Sequence, residues 1–259
     1  MDLIIGHTSQ LVPYFDNIEL ISSRNFNDKV SGYDKVILTF AEQRTFLDLD
    51  ESEFVDVNVE YTSKVIDLVS PYNKKVLIFG SSELWNNHDG PISIDTPFDY
   101  RYSPYIKSKE LLTQRLKEKR LKGEWDNVYI LHPFNFNTPY RNKGFLFGKI
   151  FDSITTQKQI TVGDVNINRD IIHPKVIMGV IDNIDKDCIV GSGQLTNIRE
   201  FTKNLYKHYN MKYEDFVTEN ISSYSPHNDK KFWLDTDIIY TNLLSDTIID
   251  IDLYKQNKI

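Results

Sequence analysis

The chain has 259 residues, 40% hydrophobic and 26% charged, which is typical of a globular protein with one large domain, alone or with a smaller lobe. Its net charge of -7 argues against general binding to nucleic acid or anionic membranes, and its single cysteine, Cys188, excludes an internal disulfide and a cysteine zinc cluster. No metal site is predicted, and with no apolar run of spanning length and no signal pattern we expect a cytoplasmic protein.

Short apolar runs in the first half of the chain predict buried strands at residues 2–5, 18–21, 35–40, 75–79 and 128–131. Helical spacing of apolar residues predicts helices over 51–70 and 104–121. Buried strands separated by helices predict an α/β fold with a doubly wound parallel sheet. Such a sheet binds its ligands at the carboxyl ends of its strands.

The pattern is looser after Pro133. A loop is predicted at 137–144, helices at 145–156 and at 195–209, with the second opening at Thr196, and a short strand at 159–162. We therefore predict a sheet core over residues 1–132, with later returns from about 170–192. Residues 133–259 are predicted to form mainly a small C-terminal lobe.

Tyr105 and Lys109 are four residues apart at the start of the predicted helix 104–121, so they share one face of it. A lysine cation beside a phenol favours the phenolate and lowers the tyrosine pKa. Such a pair can exchange a proton with a sugar or alcohol hydroxyl. Taken alone, the pattern also fits a solvated helix face.

Ser81 and Ser82 directly follow the predicted strand 75–79. Hydroxyls at the carboxyl end of a parallel strand are placed to contact a ligand. One serine, Tyr105 and Lys109 could then converge on one substrate oxygen. The alternative for the serines is a turn that satisfies its own backbone.

Motif-like segments occur in a consistent order along the chain: Tyr33–Arg44, Phe54–Val59, Gly80–Trp85, Thr96–Lys109, His132–Asn135, Arg169–Pro174, Val190–Glu200 and Phe232–Asp235. Together they resemble the extended short-chain dehydrogenase/reductase family, in its group of NAD(P)-dependent nucleotide-sugar epimerases, dehydratases and reductases. The resemblance implies a Rossmann-like dinucleotide-binding core and a C-terminal substrate-binding lobe. It also implies a nucleotide-sugar substrate and is compatible with a homodimer.

The resemblance implies three catalytic residues. Tyr105 would be the proton-transferring acid/base, and Lys109 would bind the nicotinamide ribose and lower the tyrosine pKa. Ser81 would hold the substrate oxygen, because it stands four residues before the aromatic Trp85; Ser82 is the runner-up for that role.

The resemblance also implies binding residues. Asn135 would line the nucleotide-sugar site, and Arg169 would contact the substrate diphosphate, where a planar bidentate cation is well suited; the alternative for Arg169 is a surface ion pair. His173 is expected to be structural. The substrate set is Ser82, Glu83, Asn135 and Arg169; the cofactor set is Gly6, His7, Thr8, Ser9, Gln10, Leu11, Ser23, Arg24, Phe40, Ala41, Lys109 and His132.

The chain departs from the family pattern in its phosphate loop. Where the family has Gly-x-x-Gly-x-x-Gly, this chain has Gly6-His-Thr-Ser9-Gln-Leu-Val12, which keeps only the first glycine. With Pro13 close behind, the loop is still expected to open a helix that presents amides to a phosphate.

Ser22-Ser23-Arg24 ends the second strand without an acidic residue, which favours the 2′-phosphate of NADP, although NAD remains open. The alternative for Arg24 is a solvated loop arginine.

Ser82-Glu83 stands where dehydratases of the group carry an Asp-Glu pair, so dehydration is disfavoured. The sequence therefore predicts a 4-keto reductase or an epimerase that acts on a nucleotide-activated sugar. Two alternatives stay open. One is a catalytically silent relative that binds a ligand or partner, and the other is a reductase for some other small carbonyl compound.

Overall fold

The structure is a computed structural model that describes residues 1–24, 26–220 and 230–256. The chain divides into two compact units. The first, which we call the sheet unit, contains Met1–Leu84, Tyr100–Pro133 and Ile177–Val190. The second, which we call the C-terminal unit, contains Trp85–Asp99, Phe134–Val176 and Gly191–Ile259.

The regular elements are numbered in chain order. The strands are β1 (Asp2–Ile5), β2 (Ile18–Ile21), β3 (Lys35–Leu38), β4 (Lys75–Phe79), β5 (Gly90–Ile92), β6 (Val128–Pro133), β7 (Asn135–Phe136), β8 (Ile160–Val162), β9 (Asn168–Arg169), β10 (Ile171–Ile172), β11 (Cys188–Val190), β12 (Thr196–Asn197), β13 (Val217–Glu219) and β14 (Phe232–Leu234). The α-helices are α1 (Glu51–Val55), α2 (Thr62–Val69), α3 (Pro104–Leu121), α4 (Leu146–Thr156), α5 (Pro174–Asn183), α6 (Ile198–His208), α7 (Tyr213–Phe216) and α8 (Leu243–Gln256).

The sheet unit contains a six-stranded sheet in the order β11-β6-β4-β3-β1-β2, and every neighbouring pair in it is parallel. This order confirms the predicted α/β class and the Rossmann-like architecture. The central strands are apolar over most of their length because both of their faces are buried; β1, β3 and β4 carry a charged residue only at their first position. Leu3, Ile4 and Ile5 of β1, for example, have no exposed surface.

The core of the sheet unit joins apolar side chains of β1, β3, β4 and β6 to those of α2 and α3. Phe26, in the connection between β2 and β3, is also part of this core and is 4% exposed. Burying a side chain of this size contributes about 1.5–3 kcal/mol. That connection therefore adds a buried aromatic ring to the core.

The connection from β1 to β2 differs from the sequence prediction. Residues 6–17 contain only a three-residue 3-10 helix, Val12–Tyr14, so the expected helix after the phosphate loop is absent and that prediction is wrong. The physical reason is length: β2 already begins at Ile18, and a crossover between parallel strands that includes a packed helix needs more chain. Pro13 does stand in the first turn, but of the 3-10 helix.

The predicted helix over 51–70 is continuous but irregular. A capping box between Asp50 and Glu53 opens α1, and a π-helical segment, Asp56–Tyr61, separates α1 from α2. Single π turns inside α-helices are rare, and those that occur often lie at functional sites. This one carries Asn58 and Tyr61, whose contacts are described below.

The C-terminal unit contains two-stranded pairs, β5 with β14, β7 with β10, β8 with β13 and β9 with β12, around a core that includes residues of α4, α6 and α8. Helix α6 begins at Ile198, later than the predicted 195, and its cap is Asn197 instead of Thr196, because the Asn197 side chain accepts a hydrogen bond from the backbone N–H of Glu200. Across the described ranges of both units, every helix is too short or too polar to cross a membrane.

Candidate active site

Tyr105 and Lys109 lie together on the first turns of α3. The helix begins after Ser103, whose hydroxyl accepts a hydrogen bond from the N–H of Ile106 at 3.2 Å. The Lys109 ammonium lies 5.8 Å from the centre of the Tyr105 ring. The ring of Phe54, from α1, contacts the tyrosine ring edge-on at 6.2 Å. These contacts fix the phenol and the ammonium on one side of the helix.

Lys109 is 3% exposed, which is unusual for a lysine. Its Nζ donates a hydrogen bond to the carbonyl oxygen of Phe79, the last residue of β4, at 2.8 Å. Burial lowers the pKa of Lys109 to about 8, because desolvation penalises the charged form. An ammonium has three donors, and among the described residues only the Phe79 carbonyl accepts one. Two donors remain for a ligand.

A buried hydrogen-bond network holds the backbone of the tyrosine. Asn58 of the π segment accepts from the N–H of Glu42 at 2.8 Å and donates to the carbonyl of Glu42 and to the Ser108 hydroxyl, both at 2.9 Å. The Ser108 hydroxyl donates to the carbonyl oxygen of Tyr105 at 2.7 Å. Ser108 was not among the residues predicted from the sequence. Its signal is a small polar residue on the helix turn between the tyrosine and the lysine.

Ser81 and Ser82 follow β4 and are 6% and 2% exposed. The Ser81 N–H donates to Nδ1 of His132 at 3.2 Å, and the Ser81 hydroxyl oxygen accepts from the N–H of Glu83 at 3.2 Å. The predicted alternative for the serines, a turn that satisfies its own backbone, therefore accounts for the hydrogen bond that the Ser81 oxygen accepts. Within the described chain, the hydroxyl proton of Ser81 has no acceptor and can be donated to a ligand.

His132 lies in β6 and is 1% exposed. Burial lowers its pKa to about 4, so the ring is neutral near pH 7 and its Nδ1 can accept from Ser81. The ring fills the space beside Gly80, where an added Cβ would lie 2.2 Å from Nδ1. His132 thus orients the serine segment, and its contact with a cofactor stays a prediction.

Gly80→Ala tests this packing. We expect a loss of about 1–3 kcal/mol in the free energy of unfolding, because the new methyl group has to displace the His132 ring. The control is Gly179→Ala in α5, where an added Cβ meets no atom within 4 Å. Alanine there should stabilise by about 0.5–1 kcal/mol. Urea unfolding measures both, and an unchanged stability of Gly80→Ala would contradict the described packing.

Gly6 satisfies the first position of the phosphate loop. Its φ of +123° is one that glycine adopts easily, and an added Cβ would lie 2.6 Å from the Thr39 hydroxyl. Three later amides bond within the loop: that of Ser9 donates to the Gly6 carbonyl, that of Leu11 to the Ser9 hydroxyl, and that of Val12 to the Ser9 carbonyl. These three amides are therefore already bonded, and no α-helix N-terminus follows the loop to present them, while phosphate binding by the rest of the loop stays a prediction.

The remaining loop positions offer few phosphate contacts. His7 and Thr8 are exposed, Gln10 is half-buried and Leu11 is 3% exposed. Residues 1–23 contain no lysine or arginine. Without a cationic side chain, binding of a pyrophosphate here would rely on the amides of His7, Thr8 and Gln10.

The turn after β2 carries Arg24, which is exposed. Its N–H donates to the Ser22 hydroxyl at 3.2 Å. Phe40 and Ala41, after β3, are half-buried, and the ring of Phe40 lies 5.5 Å from that of Tyr61. Ser23 and Arg24 thus follow the carboxyl end of β2, and Phe40 and Ala41 follow that of β3. These two strands flank β1, and ligand-binding residues of this fold lie at such strand ends.

The predicted substrate residues Asn135 and Arg169 lie in the C-terminal unit. Asn135 is exposed on β7, and Arg169, on β9, is half-buried with one guanidinium nitrogen 2.8 Å from the carbonyl oxygen of Asn168. His173 is fully buried; its Nε2 lies 2.7 Å from a carboxylate oxygen of Asp250, and its Nδ1 accepts from the N–H of Lys175. These contacts fit a structural histidine.

Residues 7–179 match the model of the NAD dependent epimerase/dehydratase family. The chain belongs to that family. Its members are enzymes, so membership confirms the resemblance found in the sequence and the prediction of an enzyme with a nicotinamide cofactor. No curated protein is a significant sequence match to the chain.

Solved structures of similar fold agree with this family. A dTDP-glucose 4,6-dehydratase from Streptomyces venezuelae, with NAD and TYD bound, has 16% identity and a TM-score of 0.80 over 100% of this chain and 98% of its own. A UDP-N-acetylglucosamine 4-epimerase from Methanobrevibacter ruminantium M1, in complex with UDP-N-acetylmuramic acid, has 15% identity and a TM-score of 0.80 over 99% and 98%. RMD from Pseudomonas aeruginosa, complexed with NADPH, has 15% identity and a TM-score of 0.78 over 100% and 99%.

Proposed function

We propose that the chain is an NADP-dependent 4-keto reductase or epimerase that acts on a nucleotide-activated sugar, with Tyr105 as the acid/base. One observation carries the proposal: a buried lysine, Lys109, beside the tyrosine ring keeps two donors for a ligand. A purely structural lysine has little reason to be buried with so few partners, because an incompletely bonded buried cation is costly.

Two residues of the sheet unit fit the two ends of a nicotinamide cofactor. The spare donors of Lys109 match the two hydroxyls of the nicotinamide ribose, and the exposed guanidinium of Arg24 matches a 2′-phosphate. A bound nicotinamide would supply the hydride donor or acceptor. Arg24, together with the absence of an acidic residue at 22–24, supports NADP over NAD.

Side chains of the protein transfer the proton to and from the sugar oxygen. The Tyr105 hydroxyl gives a proton to the sugar oxygen during reduction and takes it back during oxidation, while the nearby Lys109 ammonium stabilises the phenolate by its charge. The Ser81 hydroxyl donates a hydrogen bond to the same oxygen. The Ser108–Asn58 network keeps the tyrosine backbone from moving as the phenol changes charge.

The substrate class rests on the family and on side-chain chemistry. Two similar structures contain UDP-N-acetylmuramic acid and TYD, and Arg169 offers a cation suited to a diphosphate. We assign Asn135, Ser82 and Glu83 to the same substrate and the C-terminal unit to its selection. Ser82-Glu83 lacks the Asp-Glu pair of dehydratases, which supports reduction or epimerisation over elimination of water.

A catalytically silent relative is the second candidate, and one observation favours it. The amides of Ser9, Leu11 and Val12 bond within the phosphate loop, which is followed by a three-residue 3-10 helix. A protein that has given up its cofactor could tolerate both features.

Titration with NADPH and NADH, followed by nicotinamide fluorescence, separates the two candidates. We expect NADPH to bind at sub-millimolar concentration, and about tenfold or more tightly than NADH, because only NADPH offers the 2′-phosphate to Arg24. If neither nucleotide binds at millimolar concentration, the enzyme proposal is rejected. Tighter binding of NADH would reject the role of Arg24 alone.

A further inference from the structure

Tyr61 of the π segment bonds to the chain on both sides of Arg24. Its hydroxyl donates to the carbonyl oxygen of Ser23 and accepts from the N–H of Phe26 at 2.8 Å. The Ser22 hydroxyl adds a bond to the N–H of Arg24 itself. One phenol therefore fixes the main chain immediately before and shortly after the arginine.

This anchor matters because the connection between β2 and β3 contains no helix in its described residues. In a doubly wound sheet, a crossover helix normally holds such a turn. Close to Arg24 the connection is held by two side chains, the buried ring of Phe26 and the hydroxyl of Tyr61, whereas Asn73 bonds to it farther along, at Val30 and Tyr33. The Tyr61 ring is itself kept in place by Phe40, 5.5 Å away.

We propose that Tyr61 is a positioning residue that sets Arg24 for recognition of the cofactor 2′-phosphate, an inference that rests on the NADP preference proposed above. An exposed arginine on a loose turn loses backbone and side-chain freedom when it binds a phosphate, and that loss lowers affinity. With Ser23 and Phe26 already held by Tyr61, less of the backbone around Arg24 has to be ordered on binding. Tyr61 thus acts on the selectivity between NADPH and NADH without touching either nucleotide.

Tyr61→Phe is the test, because phenylalanine keeps the ring against Phe40 and removes only the hydroxyl. Fluorescence titration should show the Kd for NADPH rising about tenfold while that for NADH changes less than about twofold. In the protein without cofactor, hydrogen exchange of the Phe26 amide should become faster, since it loses the nearer of its two acceptors and keeps only the Ser23 carbonyl at 3.5 Å.

The matched control is Tyr33→Phe. It removes a hydroxyl that donates to Glu19 on β2 at 2.7 Å, so it alters the same strand but not the Arg24 turn. Both dissociation constants and the Phe26 exchange rate should stay at their wild-type values. An equal rise in the two dissociation constants for Tyr61→Phe would overturn the inference, because it would show a general structural role.

Arg24→Ala and the double variant identify which proposal fails. Arg24→Ala should raise the Kd for NADPH by about tenfold or more, and adding Tyr61→Phe to it should cause no further change. If Arg24→Ala leaves the ratio of the NADPH Kd to the NADH Kd unchanged, the NADP preference itself is wrong. If Arg24→Ala raises this ratio of dissociation constants but Tyr61→Phe does not, the preference stands and the role of Tyr61 is rejected.

Discussion

Tyr105→Phe should lower turnover by about 10²–10⁴-fold and change the Kd for NADPH by less than about twofold. The variant removes the proton that the sugar oxygen has to receive. It leaves the ring in contact with Phe54 and close to the Lys109 ammonium. The loss should therefore fall on the chemical step and not on binding.

Two measurements separate these effects: single-turnover kinetics with a nucleotide-activated keto-sugar, and fluorescence titration with NADPH. Tyr100→Phe is the control, because Tyr100 donates its hydroxyl to Glu110, also in α3, at 2.7 Å and has no proposed part in the reaction. Undiminished turnover in Tyr105→Phe would reject the proposed acid. A large loss of NADPH binding would assign the tyrosine to the cofactor instead.

Lys109→Met removes a buried ammonium and should weaken the binding of the cofactor. The Kd for NADPH is expected to rise about 10- to 100-fold, since charge-assisted hydrogen bonds to the ribose are lost. Turnover should fall in parallel. The control is Lys107→Met, which removes a partly exposed ammonium from the same helix, where it pairs with Glu110.

The same variant should change how stability depends on pH. The pKa of Lys109 is about 8 in the folded protein and about 10.4 when unfolded, so between these values the unfolded chain binds more protons. Wild-type stability therefore gains from this group as pH rises above 8. Below pH 8 the folded protein bears the full cost of the buried charge, and Lys109→Met removes that cost.

Urea unfolding of both proteins at several pH values checks this prediction. The stability of Lys109→Met relative to wild type should decrease by about 1.4 kcal/mol per pH unit between about pH 8 and pH 10. A difference that stays constant over this range would show that Lys109 is not desolvated as described.

The sheet was predictable because the sequences of buried parallel strands are nearly continuous apolar runs. The runs at 2–5, 18–21 and 75–79 have the bounds of β1, β2 and β4. The helix after Gly6 was predicted wrongly, because loop and proline signals describe a helix start and not the chain length left before the next strand. Likewise, the π segment leaves the apolar spacing of 51–70 nearly unchanged, so periodicity alone cannot locate it.

The tyrosine–lysine pair was found in the sequence because its spacing is local. The contacts that support it join residues far apart in the chain. Asn58 bonds to Ser108, and Lys109 bonds to Phe79, and no local pattern reports such pairs. The hydroxyl of Ser81 was read as a substrate contact, whereas its oxygen also accepts from Glu83, which only the geometry of the turn reveals.

In the proposed enzyme, the connections flanking β2 also decide how this edge of the sheet responds to the cofactor. Each doubling of loop length costs only about 0.6 kcal/mol in closure entropy, so brevity itself stabilises little. Near Arg24 the second connection is held by the Phe26 ring and the Tyr61 hydroxyl, a small set of contacts that local opening can break together. A ligand that binds only the closed form adds RT ln(1 + [L]/Kd) to its stability. Binding of the cofactor and ordering of this edge are then thermodynamically coupled, so each favours the other.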